Sequence, residues 1–275
     1  MTHQTIPPQD GLTIRPAAKP QLRYKALRSI IALILREMTT TYGRSPGGYF
    51  WAVAQPVALI VVLAVAFSLL LRSPPLGSNF ILFYATGILP LRLFQMLSNN
   101  VGGAVGFSKP LLAYPRVTLV DALIARAILT VLTQLVVAIV ILVGIYVFVD
   151  STDRLNFNAI FLAYGLTILL GVGIGALNSF LFTLLPVWKI IWGIATAPLI
   201  ILSAVIYIFE QLPISAQQYL WFNPLVHITG TMRMGFYSTY HPTYPDLSYV
   251  MLWSLVPAFF GLLLLRRYGR TILYL

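Results

Sequence analysis

The chain has 275 residues, 59% of them hydrophobic and only 9% charged, where a soluble domain carries about 25% charged residues. A mean hydropathy of +0.85 and several apolar runs of about 18 or more residues exclude a soluble globule and indicate an all-α, polytopic membrane protein. Cysteine is absent, which excludes disulfides and Cys-ligated metal centres, and the net charge of +11 comes from bases set beside apolar spans, pointing to membrane lipids and topology rather than nucleic acid.

Residues 1–20 carry four prolines and little hydrophobicity, a composition that predicts a disordered cytoplasmic tail. Over 21–41 the pattern changes. Leu27, Ile30, Ile31, Ile34, Leu35 and Met38 fall on one stripe of a 3.6-residue helix, with Lys25, Ser29 and Arg36 opposite. Such a helix lies in the membrane interface with its apolar face down. Six spans are then expected, at about 50–71, 80–106, 119–149, 159–185, 190–209 and 248–265. The second is expected to be interrupted at Pro90. The third, at 31 residues, is roughly 46 Å of helix against a hydrocarbon core of about 30 Å, so its first turns project into the cytoplasm with Asp121. The first long apolar run begins near Phe50, and no cleavable signal is expected ahead of it.

Orientation follows from the bases. With both termini cytoplasmic, thirteen Lys and Arg residues lie inside, and only Arg72, Arg154 and Arg233 lie outside; Arg92 and Arg126 fall within helices. The positive-inside rule is strongly met.

None of the seven acids sits at mid-membrane, which argues against a proton- or sodium-driven carrier. No G-x-x-x-x-G-K-[ST] occurs, so the chain does not hydrolyse ATP through a P-loop. The motifs of esterases, zinc proteases and prenyl-diphosphate enzymes are missing as well, and an enzymatic role is not expected. Arg92 is the one charge deep in a span. It is either a snorkelling base or a contact for an anionic substrate, and Gln95, Ser98, Asn99 and Asn100 continue a polar stripe along the same helix. Gly171, Gly173 and Gly175 give a small-residue face for close helix packing. The segment 210–247 is rich in aromatics, including Trp221, Phe222, Tyr237, Tyr240 and Tyr244. Within it, 225–236 is apolar but too short to cross, which suggests an external re-entrant hairpin before the last helix. Its rings are either interfacial anchors or platforms for sugar faces, with Trp221 and Tyr237 as path candidates. His3, His227 and His241 share no metal-ligand spacing, and no metal site is expected. Between the second and third spans, Pro110 and Pro115 are expected to isolate a short apolar turn. It is either a solvated loop or a plug for a partner's socket.

Four features together carry a family resemblance: an amphipathic helix followed by YGRSPGGYFWAVAQP at 42–56, KPLLAYPRVTLVDALIAR at 109–126, the six-span layout, and WFNPLVHITGTMRMGFY at 221–237. The chain resembles the permease subunits of type-2 ABC exporters, specifically those exporting bacterial capsular polysaccharide, over most of its length beyond about residue 20. The resemblance implies a homodimer in the bacterial inner membrane bound to two ATP-binding cassette subunits. ATP and Mg would sit on those partners and no cofactor on this chain. It implies a coupling helix at 111–116, with Lys109, Leu111, Leu112, Tyr114 and Arg116 meeting the ATPase. The substrate would be a lipid-linked, anionic polysaccharide, passed on to a periplasmic or outer-membrane partner. O-antigen, teichoic acid or a drug are the alternatives within the class, and a passive channel or secondary carrier outside it.

Overall fold

The computed structural model describes residues 25–41, 48–112, 118–148 and 154–274, and every regular element among them is helical. The expected tail at 1–20 lies outside the described residues. Helix α1 (Lys25–Thr41) has Leu27, Ile31, Leu35 and Met38 exposed, while Leu33 and Glu37 are buried. The apolar stripe thus faces away from the protein, as an interfacial helix requires.

Helix α2 (Gly48–Leu70) is apolar around most of its surface, with Gln55 and Ser68 as exceptions. Helix α3 (Phe80–Gly102) is capped by Asn79, whose side chain accepts from the Ile81 and Leu82 amides. It is the most deeply buried of the long helices. The interruption expected at Pro90 is corrected here: Pro90 lies inside a continuous helix. It is buried among neighbouring helices, and within a membrane such packing offsets the lost hydrogen bond. The break comes instead at Gly103, whose N–H donates to Asn99 O, and a second helix, α4 (Ala104–Leu112), follows at once. Pro110 sits inside α4, so it does not end the helix as the sequence suggested; this helix is already only nine residues long.

Helix α5 (Leu119–Phe148) opens on a reciprocal cap. Asp121 Oδ2 accepts from the Thr118 amide at 3.0 Å, and Thr118 Oγ1 accepts from the Asp121 amide at 3.1 Å. These bonds satisfy donors that a helix start otherwise leaves open. Helix α6 (Phe157–Leu184) is the hub on which α3, α10 and α11 pack. Its glycines allow the approach. A Cβ at Gly171 or Gly175 would lie 2.7 Å from the Cβ of Leu97 or Val101 on α3, and one at Gly173 would strike the Ser254 carbonyl of the last helix. Side chains at these positions would push the helices apart, as expected of a small-residue face.

The span expected over 190–209 is not one helix. Helix α7 (Pro186–Thr196) and the single turn α8 (Leu199–Leu202) divide it. Pro198 has no N–H to continue the ladder, and Ala197 N–H turns back to Ile194 O. The broken segment nevertheless runs beside α3. Gln95 reaches Thr196 O, and Val205 lies against Gly87. Residues 203–208 are irregular, with Ala204 in the left-handed region at φ 54, and Phe209–Gln211 forms a 3-10 turn. Helix α9 (Ile214–Leu220) and helix α10 (Pro224–Phe236) follow, joined by residues 221–223. Helix α11 (Leu247–Tyr274) extends well past the 265 expected. Among the described residues α2, α3, α5, α6 and α11 are long and apolar enough to cross a membrane.

Candidate functional site

The first turns of α2, the C-terminal half of α3 and residues 130–134 of α5 line a partly open cavity of about 220 Å³. Beside Trp51, Ala52, Pro56 and Met96, its lining carries several polar side chains for a place between apolar helices: Gln55, Arg92, Asn100, Thr130, Thr133 and Gln134 all face it. No acid contributes to it. Asn100 Nδ2 donates to Thr130 Oγ1 at 3.1 Å, fixing one wall. Arg92 Nε is buried with no hydrogen-bonding partner among the described residues. A guanidinium lining the cavity, with neutral amides and hydroxyls around it and no counter-charge in the lining, is suited to receive an anionic group.

The other path candidates are dispersed. Gln95 donates to Thr196 O at 3.1 Å and so stitches the broken α7–α8 segment to α3. Asn99 Nδ2 is occupied by its own helix at Gln95 O, 2.8 Å. Trp221 belongs to an aromatic cluster at the other end of the molecule, its ring 4.8 Å from Tyr249 and 5.0 Å from His227. His227 accepts from the Asp246 amide at Nδ1 and donates from Nε2 to Trp221 O, which fixes the neutral tautomer with the proton on Nε2. Tyr237 is buried and covers Gly77, which turns the chain at φ +70. Only Arg92, of the five, lines the polar cavity.

Of the residues expected to couple to an ATPase, Lys109 is exposed in the last turn of α4. Leu111 and Leu112 close that helix. Tyr114 and Arg116 lie outside the described residues.

Two basic residues carry more than the sequence suggested. Arg126 lies between helices, with Nε 2.6 Å from Glu37 Oε1 of α1, Nη1 donating to Asn100 O at 3.2 Å, and its guanidinium carbon 4.2 Å from the Phe107 ring centroid of α4. Burial pushes the Glu37 carboxyl above the usual carboxylate range, against the pull of the Arg126 and Arg36 charges. Arg233, placed outside by the count of bases, is fully buried. It donates to Tyr207 O at 2.7 Å and Val205 O at 2.8 Å and stacks 4.1 Å over Phe83. No local signal separates Arg233 from a loop base. Glu37 offered one: it is an acid next to the apolar stripe of an otherwise basic helix.

Residues 28–237 match the family model described as ABC-2 type transporter. The polysialic acid transport protein KpsM of Escherichia coli is 29% identical over 238 residues, which cover 86% of this chain and 92% of that protein. The capsule polysaccharide export inner-membrane proteins CtrC of Neisseria meningitidis serogroup B and BexB of Haemophilus influenzae are 27% and 25% identical. Each match spans 89% of this chain and 92% of the relative.

Proposed function

The chain belongs to the ABC-2 type transporter family, and we propose that it is the transmembrane subunit of an ATP-driven exporter of capsular polysaccharide across the bacterial inner membrane. The polymer is anionic and lipid-linked in this proposal, and both termini of the chain are cytoplasmic. Two copies form a homodimer, and two separate ATP-binding subunits carry ATP and Mg. Lys109, Leu111, Leu112, Tyr114 and Arg116 couple those subunits to the membrane helices, and a periplasmic or outer-membrane partner takes over the polymer.

The observation that supports this most is the acid-free polar cavity around Arg92. A drug pump calls for an apolar, Phe- and Met-rich cavity. Here amides, hydroxyls and a guanidinium line it alongside Trp51, Ala52, Pro56 and Met96, and such polar groups offset the large cost of moving hydroxyls and carboxylates out of water. The α9–α10 pair serves as the re-entrant hairpin, with Trp221 and Tyr237 among the rings beside the exit.

Deletion of the chain in its own bacterium is expected to abolish surface polysaccharide while polymer accumulates inside, and the purified chain is expected to carry an ATPase with it. Unchanged surface polysaccharide in the deletion strain would refute the proposal. So would a chain that moves its substrate without any ATP-binding partner.

A further inference from the structure

The α3–α4 break at Gly103 is the point where a membrane-embedded helix gives way to the helix that leads into the ATPase-facing residues. One side chain holds this point from three sides. Arg126, two turns into α5, donates to Asn100 O at 3.2 Å, one of the carbonyls at the C-terminal end of α3. Its guanidinium carbon lies over the Phe107 ring of α4, 4.2 Å from the centroid. Its Nε faces Glu37 of α1 at 2.6 Å. Both partners are shielded, with side-chain exposures of 13% and 9%.

Buried ion pairs are poor stabilisers, because desolvation offsets most of their attraction. Their better-attested use is to fix a geometry. Here the geometry joins four elements. Without Arg126, α1 and α4 would keep the longer contact of Arg36 with Phe107, 5.7 Å to the centroid, and the α3 end its Asn100–Thr130 bond to α5, but the guanidinium that joins the α3 end to Phe107 of α4 would be gone. With it, a displacement of α4 moves Phe107 and drags the guanidinium, and through Asn100 O it pulls on the helix that bears Arg92. Asn100 also lines the Arg92 cavity and bonds Thr130. The ring, the guanidinium, the carbonyl and the cavity wall therefore form a contiguous chain of contacts. A Cβ at Gly103 would stand 3.5 Å from Arg126 Nη1, so the guanidinium rests directly on the break.

We infer that Arg126 is a positioning residue for energy coupling: clamped by Glu37, it ties α4 to the end of α3 so that movement of the ATPase-facing loop reaches the polar cavity. This rests on the exporter proposal above. The Glu37 carboxylate keeps the guanidinium from swinging away, and the planar fork makes the grip on Phe107 and Asn100 directional. Lysine would keep the charge and lose the plane.

The test uses the complete complex in its native bacterium. Surface polysaccharide is measured on cells, and ATP hydrolysis on the complex purified from the same cells. For Arg126→Gln and Phe107→Leu, hydrolysis is expected within about twofold of wild type while polymer exported per ATP falls about tenfold, the size of a typical coupling term. Arg126→Lys is expected in between. Hydrolysis and export falling in proportion would mean that Arg126 only holds the fold together, and the inference would be overturned. Should Arg126→Gln fail to assemble with its ATPase, Phe107→Leu decides, because it leaves the ion pair intact: normal export per ATP in that variant also overturns the inference. A strain lacking the chain that still displays polysaccharide would instead refute the exporter proposal itself.

Discussion

Replacing Arg233 tests whether a buried cation can be worth its desolvation when its partners are carbonyls. Residues 203–208 form no regular element, yet Ala204, Val205 and Ile208 are all buried. Arg233 supplies donors to two carbonyls there. Arg233→Met keeps much of the volume and removes every donor. Two orphaned buried carbonyls cost about 1–3 kcal/mol each, and losing the stack on Phe83 costs about 1–2 kcal/mol more. Against this, a guanidinium no longer has to be stripped of water, which returns several kcal/mol. The balance is a destabilisation of about 2 kcal/mol. For a chain of this size that lowers the melting temperature by roughly 4–8 °C. Thermal melting in detergent, followed by helical circular dichroism, measures it. Arg233→Lys, with one cationic head instead of a fork, is expected between the two. An Arg233→Met protein melting at or above wild type would show that desolvation outweighs the carbonyl bonds.

Arg92→Ala is expected to lower export of an acidic polymer about tenfold or more, since hydrogen bonds to charged groups are worth about 1.5–3 kcal/mol, while the ATPase still co-purifies; Arg92→Lys should recover part of the loss, and normal export in the alanine variant would reduce Arg92 to a structural role. Tyr114→Ala is expected to cost roughly 2 kcal/mol of the ATPase contact and to uncouple hydrolysis from export. The chain has no native cysteine, so a cysteine at 112 or 114 is expected to crosslink to an ATPase subunit; absence of any crosslink in the assembled complex counts against the coupling role. The double change Ile31→Asp and Leu35→Asp places acids on the exposed stripe of α1, removing about 1.5–3 kcal/mol of apolar burial per side chain; weaker export with the long helices still inserted is expected, and unaffected export would mean that α1 does not lie in the interface.

The long apolar helices were legible because their signal is local and strong. The spans expected at 50–71, 119–149 and 159–185 appear as Gly48–Leu70, Leu119–Phe148 and Phe157–Leu184. The glycines of α6 were legible too, since small residues at one-turn spacing in an apolar run have few other uses. Prolines misled in both directions. Pro90 and Pro110 stay inside helices, while the break fell at Gly103 and near Pro198. A proline rule considers one strand of hydrogen bonds, whereas a packed bundle offers other donors: Gln95 satisfies Thr196 O from a different helix. The Glu37–Arg126 and Arg233–carbonyl contacts were illegible for the same reason. Each joins residues far apart in the chain, and periodicity says nothing about such pairs. The cap at Thr118 and Asp121 was readable in principle, as a T-x-x-D before an apolar run.

The polar cavity also bears on what covers the molecule. Gln55 is exposed on α2, two turns in from its start, and Trp51 beside it is 59% exposed. A Trp at the head of a spanning helix suits the headgroup level. A Gln farther in, beside Thr130, Thr133, Gln134 and Arg92, does not suit hydrocarbon, where unsatisfied amides cost several kcal/mol. Lipid is therefore a poor neighbour for this face, although it suits the rest of α2 and most of α11. A second copy placed against α2 would turn the two cavities toward one another and close the polar face from lipid, and two-fold closure is the commonest way a chain meets its own copy. The proposed homodimer thereby answers a local difficulty of this one chain. Gln55→Cys is expected to crosslink one copy to another through a short bridging reagent, whereas Leu252→Cys, on the exposed apolar face of α11, is not. Crosslinking at 252 and none at 55 would move the seam away from the Arg92 cavity.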